Sequence, residues 1–197
     1  MTWKFPPALL EVPRLGCINA HPALLPKYRG PEPVFWQLMN GETQIGMTIH
    51  RMDAQFDTGP ILVQRAMDIS EDDDIDSVYA QLLTLGGPLL QAALAAVAAG
   101  VPGTPQPAEG SYAPLVTEAE RNLDWNRSAV QLRNQVRAWG SQGALASIDG
   151  KVYLVRRARV VPTSSPARPG TVLERAGTRM LVQTGQDTLV LEDFREA

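Results

Sequence analysis

A proline- and glycine-rich segment in the middle of the chain most limits what this sequence can fold into. Residues 100–114, GVPGTPQPAEGSYAP, contain four prolines and three glycines. Proline lacks an amide hydrogen and glycine is conformationally permissive, so neither a helix nor a paired strand is expected to continue through this segment. The sequence therefore predicts a linker at 100–114 between two domains, one over residues 1–99 and one over 115–197.

The first domain alternates between strand patterns and helical patterns. Three short runs are typical of strands: GCIN at 16–19, GMTIHRM at 46–52 and PILVQRA at 60–66. Residues 33–39 predict a short helix, and residues 75–99 predict one long helix or two helices separated near Pro88. Strands interleaved with helices favour an α/β layer with a largely parallel sheet.

The second domain begins with a helical pattern and continues as short strands. Apolar residues recur at spacings of 4, 3, 4 and 3, which is typical of one helix face: Trp125, Ala129, Leu132, Val136 and Trp139. Five strand-like runs follow, at 144–148, 151–161, 171–173, 179–183 and 188–191. One helix and five short strands predict a small, partly open β-barrel that is OB-like.

Composition limits the class of protein and the kinds of site it can hold. Apolar residues make up 44% and charged residues 20%, which excludes wholesale disorder. No uninterrupted apolar run reaches the roughly 20 residues of a membrane-spanning helix, and the first residues lack the apolar core of a signal peptide. With one cysteine and two histidines, neither a disulfide nor a Cys/His zinc site is expected. We therefore expect a cytoplasmic protein without a metal site.

Charge is unevenly divided along the chain. Residues 1–110 carry 6 Lys and Arg against 12 Asp and Glu, whereas residues 111–197 carry 12 against 9. A basic second domain suits contact with a polyanion such as RNA, although a solvated arginine-rich surface is the alternative. Alternation along the predicted strand places Arg157 and Arg159 on its solvent face, close to Arg156, and RNA contact there is a hypothesis.

The densest chemical signal lies in GCINAHPALLPKYRGPEP, residues 16–33. Asn19 and His21 leave a predicted strand two residues apart, so their side chains point the same way, at the place where open α/β sheets bind ligands. Asp57 lies in MDAQFDTGP, between two predicted strands. An amide and an imidazolium can stabilise an oxyanion, and a histidine can move a proton. For His21 taken alone, a buried structural role is the alternative.

These motifs make the chain similar to the folate-dependent formyltransferases. CINAHPALLPKYRG followed by GMTIHRMDAQFDTGPIL resembles the second half of their catalytic domain, and LDWNRSAVQLRNQVRAW with GTVLE resembles their C-terminal domain. Family members carry further strands before the point where this chain begins. The resemblance implies a partial doubly wound, Rossmann-like α/β sheet followed by the small open barrel.

The resemblance also implies the roles of particular residues. It assigns the catalytic triad to Asn19, His21 and Asp57, with Asn19 and protonated His21 holding the developing oxyanion, and with His21 and Asp57 moving a proton toward the leaving nitrogen. The family's S-L-L-P loop, which contacts 10-formyltetrahydrofolate, matches four residues here, with alanine in place of serine: Ala23, Leu24, Leu25 and Pro26.

The implied reaction transfers a formyl group from 10-formyltetrahydrofolate to a primary amine, without a metal. The similarity is greatest to the members that act on tRNA, so the expected acceptor is initiator methionyl-tRNA, bound through the basic second domain. An amino sugar or another small amine is an alternative acceptor. A third alternative is a catalytically silent remnant that binds tRNA.

Four other residues have simpler interpretations. His50, on a predicted strand, is expected to have a structural or surface role. Cys17 is expected to be a small buried apolar residue. Lys27 and Arg29 are candidates for contact with the folate glutamate tail or an anionic substrate, and equally for keeping their loop soluble.

Overall fold

The computed structural model describes residues 4–163 and 165–197 and divides the chain into two compact units. The first unit comprises the residues up to Gln37 together with Glu42–Asp72 and Ser77–Leu115. The second comprises Leu38–Gly41, Asp73–Asp76 and Val116–Ala197. The segment 100–114 thus belongs to the first unit, while the domain ranges given above stay a prediction.

The first unit contains a three-stranded antiparallel sheet in the order β1-β2-β3. Its strands are β1 (Ile18–His21), β2 (Gln44–Arg51) and β3 (Ile61–Asp68). The α/β class is confirmed, but the prediction of a largely parallel sheet is wrong for the described residues. For β2 and β3 the physical reason lies in the short connection 52–60, because a parallel pair needs a crossover of about a dozen residues or more.

Three helices accompany this sheet: α1 (Pro7–Leu10), α2 (Pro33–Met39) and α3 (Ile75–Ala98). α2 has the predicted bounds. α3 is one continuous helix although it contains Pro88. Its buried residues continue on one face across the proline, at Val78, Leu82, Leu89, Ala93 and Val97. Burial of that face offsets the one hydrogen bond that the proline removes.

The face of α3 next to this buried one is apolar and exposed, at Tyr79, Leu83, Leu90 and Leu94. α3 has 24 residues, and a window of it reaches a mean hydropathy of 1.4, so by length and composition alone it qualifies to cross a membrane. This finding departs from the expectation that no segment qualifies. One such helix is weak evidence, because core helices of soluble proteins meet the same criteria.

The second unit contains a helix, α4 (Ala129–Trp139), and a five-stranded antiparallel sheet. The strands are β4 (Ala144–Ile148), β5 (Lys151–Val161), β6 (Val172–Ala176), β7 (Arg179–Gln183) and β8 (Thr188–Glu196). Their order is β4-β5-β8-β7-β6, so β4 and β6 are edges and the sheet is open. The predicted helix followed by five strands is confirmed. The one exception is Trp125, which precedes α4 because a capping box at Ser128 and Gln131 begins the helix.

The arginines of β5 are exposed, but not for the reason that alternation gives. The register of β5 against β8 shifts on both sides of Arg157, so Arg156 and Arg157 are exposed in succession, and Arg159 is exposed as well. A bulge of this kind turns a side chain to the other face. The Arg159 Nε lies 3.4 Å from the Glu192 Oε1.

Candidate active site

Four polar side chains meet at one end of the three-stranded sheet. In the β1–β2 register Asn19 lies opposite His50, and His21, two residues along β1, faces the same side. Asp57 lies in the connection between β2 and β3, with a left-handed backbone at φ 55°. The structure therefore brings together all three residues of the predicted triad, and it adds His50.

The carboxylate of Asp57 is the centre of this cluster. Its Oδ1 accepts a hydrogen bond from the Asn19 Nδ2 at 3.1 Å and lies 3.4 Å from the His50 Nε2. Its Oδ2 accepts from the Gly30 backbone N–H at 2.8 Å and lies 3.5 Å from the His21 Nδ1. Each oxygen therefore faces one neutral donor and one imidazole, which fixes the carboxylate relative to both strands.

Gly59 allows the Asp57 loop to reach this position. A Cβ built on Gly59 would overlap the backbone carbonyl of Arg51, at the end of β2. At that point the Arg51 N–H donates to the Pro60 carbonyl oxygen at 2.9 Å. The D-T-G sequence therefore places a side chain on Asp57 and leaves none at Gly59, where the backbone passes close to the strand.

His21 is buried, with 3% of its surface exposed. Its Nε2 donates a hydrogen bond to the Tyr28 carbonyl oxygen at 2.8 Å, so its Nδ1 is the nitrogen that faces Asp57. Burial lowers the pKa of His21 and outweighs the opposing effects of the Asp57 charge and the bond to Tyr28. The neutral imidazole is thus the favoured form, in contrast to the protonated His21 expected above.

Asp57 is held in its charged form. Burial alone would raise its pKa, but the hydrogen bond from His50, the charge of His21 and the Gly30 N–H together lower the pKa to about 2. The carboxylate is therefore ionised at neutral pH, next to a neutral imidazole. This pair can stabilise a proton that arrives on His21 during a reaction.

We expect the free energy of unfolding to fall on acidification through two groups, His21 and Asp57. The pKa of His21 is lower in the folded state than its usual 6.5, so protonation favours the unfolded chain and stability falls as the pH drops below about 6.5. The pKa of Asp57 is about 2 when folded against 3.8 in a free side chain, so its contribution is lost as the pH falls from about 4 toward 2. Urea unfolding from pH 7 to pH 2.5 measures both.

Two variants separate these contributions. Asp57→Asn should flatten the loss of stability below pH 4, and His21→Asn should flatten the loss that begins below about pH 6.5. A pH dependence that neither variant changes would contradict the assignment to these two groups.

The predicted folate loop follows β1 and consists of Ala23, Leu24, Leu25 and Pro26. Thr48 on β2 holds it: its Oγ1 donates to the Ala23 carbonyl oxygen at 2.6 Å and accepts from the Leu25 N–H at 3.2 Å. The side chains of Ala23 and Leu25 are buried, whereas Leu24 and Pro26 are half-buried. Only the latter two side chains present surface to a ligand.

The structure bears on three single-residue expectations, for Arg29, Lys27 and Cys17. The Arg29 guanidinium is occupied, because it donates to the Gln106 Oε1 and to the Pro107 and Ala108 carbonyl oxygens. Lys27 is exposed and borders a depression of about 480 Å³, so of the two it is the one available to an anion. Cys17 is half-buried rather than buried.

His50 is the site residue that sequence reasoning missed. It is 2% exposed, which excludes a surface role, and its Nδ1 donates to the Arg51 carbonyl oxygen at 2.7 Å. A cavity of about 20 Å³, large enough for one water molecule, is bordered by His50, Asn19 and Asp57. The β1–β2 register places His50 opposite Asn19, and because this register follows from the pairing of the two strands, the sequence of either strand alone does not reveal it.

Within residues 4–163 and 165–197, no group of three or more His, Cys, Asp or Glu side chains could hold a metal ion.

Comparison with known proteins gives consistent results over both units. The family model for formyl transferase matches residues 4–94, and the model for the formyl transferase C-terminal domain matches residues 115–197. A methionyl-tRNA formyltransferase from Pelobacter propionicus is 39% identical over 198 residues, which covers 98% of this chain and 60% of that protein. The chain thus spans about 60% of the length of the curated relatives it matches.

Solved structures agree. A protein from Mycobacterium tuberculosis that has been assigned as a sugar N-formyltransferase is 30% identical, with a TM-score of 0.68 over 86% of this chain and 73% of that one. HypX from Aquifex aeolicus in complex with tetrahydrofolic acid has a TM-score of 0.70 over 91% of this chain and 32% of its own, and at 24% identity it shows the fold alone. With both family models matched and both units represented among the relatives, this chain belongs to the formyl transferase family.

Proposed function

We propose that this protein transfers a formyl group from 10-formyltetrahydrofolate to a primary amine, with the amino group of methionyl-tRNA as the acceptor. The observation that carries the proposal is the convergence of Asn19, His21 and Asp57 within hydrogen-bond and ion-pair distances. The curated relatives that cover 96–98% of the chain are named methionyl-tRNA formyltransferase. A solved structure with the same fold is a complex with tetrahydrofolic acid, which supports the donor.

In this proposal His21 acts as the base. The acceptor nitrogen attacks the formyl carbon and loses a proton to the neutral imidazole as the new C–N bond forms. The ionised Asp57, 3.5 Å from the His21 Nδ1, stabilises the imidazolium. When the bond from the formyl carbon to the leaving nitrogen breaks, the same proton passes to that nitrogen, so protons and charge balance over the cycle. The Asn19 amide donates a hydrogen bond to the oxygen that gains negative charge.

The two substrates are assigned to separate surfaces. Leu24 and Pro26, half-buried in the loop that follows β1, present apolar surface that suits the ring system of the folate. The exposed Arg156, Arg157 and Arg159 on β5 suit the phosphate backbone of the tRNA, since such contacts release counterions. The proposal requires no metal and is compatible with a cytoplasmic location.

An amino sugar is the second candidate acceptor. The relative from Mycobacterium tuberculosis, assigned as a sugar N-formyltransferase, is 30% identical, and this chain covers 73% of its length. That coverage is greater than the 60% reached for the methionyl-tRNA formyltransferase from Pelobacter propionicus. The basic second unit favours the tRNA, because a nucleotide sugar does not need a long cationic surface.

The test offers both acceptors to two forms of the protein. The first form is the chain itself, and the second is a fusion in which the unmatched segment of the Pelobacter propionicus relative precedes it. Each form is incubated with 10-formyltetrahydrofolate and either methionyl-tRNA or a nucleotide-linked amino sugar, and the formylated product is quantified. We expect formyl-methionyl-tRNA from the fusion.

The other outcomes are equally decisive. Product from the amino sugar alone would replace the acceptor in the proposal. No product in either form, together with tRNA binding that weakens steeply with salt, would show a tRNA-binding protein without transferase activity. No product and no salt-dependent tRNA binding would reject both parts of the proposal.

A further inference from the structure

The segment 100–114, which the sequence assigned to a linker, is bonded along its length to the first unit. Thr104 and Ile61 exchange backbone hydrogen bonds of 2.8 Å in both directions. The Arg29 N–H donates to the Ser111 carbonyl oxygen at 2.9 Å, and the Arg29 carbonyl oxygen accepts from the Ala113 N–H at 2.6 Å. This segment therefore runs beside both loops that surround the Asp57 carboxylate.

One side chain of the segment connects those two loops. The Gln106 Nε2 donates to the backbone carbonyl oxygens of Asp57 and Gly59, both at 2.8 Å. Its Oε1 accepts from the Arg29 Nε at 3.2 Å and from the Arg29 Nη2 at 2.9 Å. All the strong hydrogen-bonding positions of this amide are therefore used in holding the Asp57 loop to the loop that contains Gly30.

We propose that Gln106 is a positioning residue for the candidate active site. It fixes the backbone of Asp57 in its left-handed conformation, and through Arg29 it fixes the neighbouring Gly30, whose N–H binds the Asp57 Oδ2. Its role in catalysis rests on the function proposed above, whereas its role in the geometry does not.

The hydrogen-bond pattern makes this role specific to an amide. Two acceptors, the carbonyl oxygens of Asp57 and Gly59, face Nε2, and a donor, the Arg29 guanidinium, faces Oε1. A glutamate of the same shape would retain the acceptor for Arg29 but would place a second oxygen against two carbonyl oxygens. Glutamate should therefore displace the Asp57 loop while leaving the contact with Arg29 in place.

The two histidines of the chain provide a probe of the site. The protein contains only His21 and His50, and both imidazoles face the Asp57 carboxylate. Their ¹H–¹⁵N signals therefore report on the position of Asp57 and can be recorded whether or not the chain is active.

The experiment compares Gln106→Glu and Gln106→Ala with the control Gln44→Glu. Gln44 also donates its side-chain amide to a neighbour, the Asp68 Oδ1 at 3.0 Å, but it lies at the start of β2, away from Asp57. We expect both Gln106 variants to shift both imidazole signals by several line widths and the control to leave them unchanged. In an active form of the protein, kcat should fall roughly 10- to 100-fold while KM changes less than about threefold.

The outcomes separate this inference from the proposed function. Imidazole signals that shift, while neither the chain nor the fusion transfers a formyl group, would support the positioning role and reject only the function. Unchanged signals in a folded Gln106→Glu variant would overturn the inference. If circular dichroism shows that both Gln106 variants are unfolded, the residue stabilises the unit as a whole, and the inference is likewise overturned.

Discussion

Replacing His21 by alanine should lower the rate of formyl transfer by about 10²- to 10⁴-fold, the usual contribution of a positioned acid–base group. Burial lowers the pKa of the His21 imidazole, which lies next to the ionised Asp57, so this substitution removes the group that the proposal assigns as proton carrier. Asp57 has a pKa of about 2 and is too weak a base to take over at neutral pH. The measurement is kcat for formylation of methionyl-tRNA by the active fusion.

A matched control distinguishes lost chemistry from lost structure. Cys17 lies immediately before β1 and is half-buried, and its thiol makes a long contact of 4.0 Å to the Leu10 carbonyl oxygen. Cys17→Ala should leave kcat within about twofold, and thermal unfolding of both variants should show a folded protein. Full activity in a folded His21→Ala variant would remove this residue from the mechanism, and the proposed chemistry with it.

The parts of the site that could be predicted are those encoded within a few residues. Asn19 and His21 share a side because they are two residues apart on a strand, and α2 has the predicted bounds because its proline and its apolar spacing are local signals. His50 was missed because its place opposite Asn19 depends on the register between two strands separated by a loop and a helix. The sequence of a strand shows which of its side chains share a face, but it does not show which residues of another strand lie opposite them.

The same distinction explains which features of the fold the sequence does not reveal. The alternation of strands and helices predicted α/β correctly, but it does not contain the direction of the strands, and the described sheet is antiparallel. The segment 100–114 has the composition of a linker, and composition does not show that Gln106 and Ser111 have partners in distant loops. In β5 the alternation failed at Arg156 and Arg157, where register shifts against β8 interrupt it.

Gly59→Ala should strongly destabilise the first unit. The added Cβ would overlap the Arg51 carbonyl, which is backbone at the end of β2 and cannot move away as a flexible side chain would. Moving the loop instead would break the bond from the Arg51 N–H to the Pro60 carbonyl oxygen and displace the adjacent Asp57. We expect a loss of about 3 kcal/mol in the free energy of unfolding, at the upper end for an overpacked site. Urea unfolding measures this loss.

Gly87→Ala is the matched control, because the same methyl group is added where there is room. A Cβ on Gly87 meets no atom within 4 Å outside its two chain neighbours, and the residue lies inside α3, where alanine is favoured over glycine. The ring of Pro88 restricts a Cβ on the residue before it and opposes this gain, so the variant should stay within about 1 kcal/mol of the wild type. If Gly59→Ala were as stable as the wild type, the Asp57 loop would not pass close to β2 as described, and the cluster of Asn19, His21 and His50 around its carboxylate would lose the constraint that holds it in place.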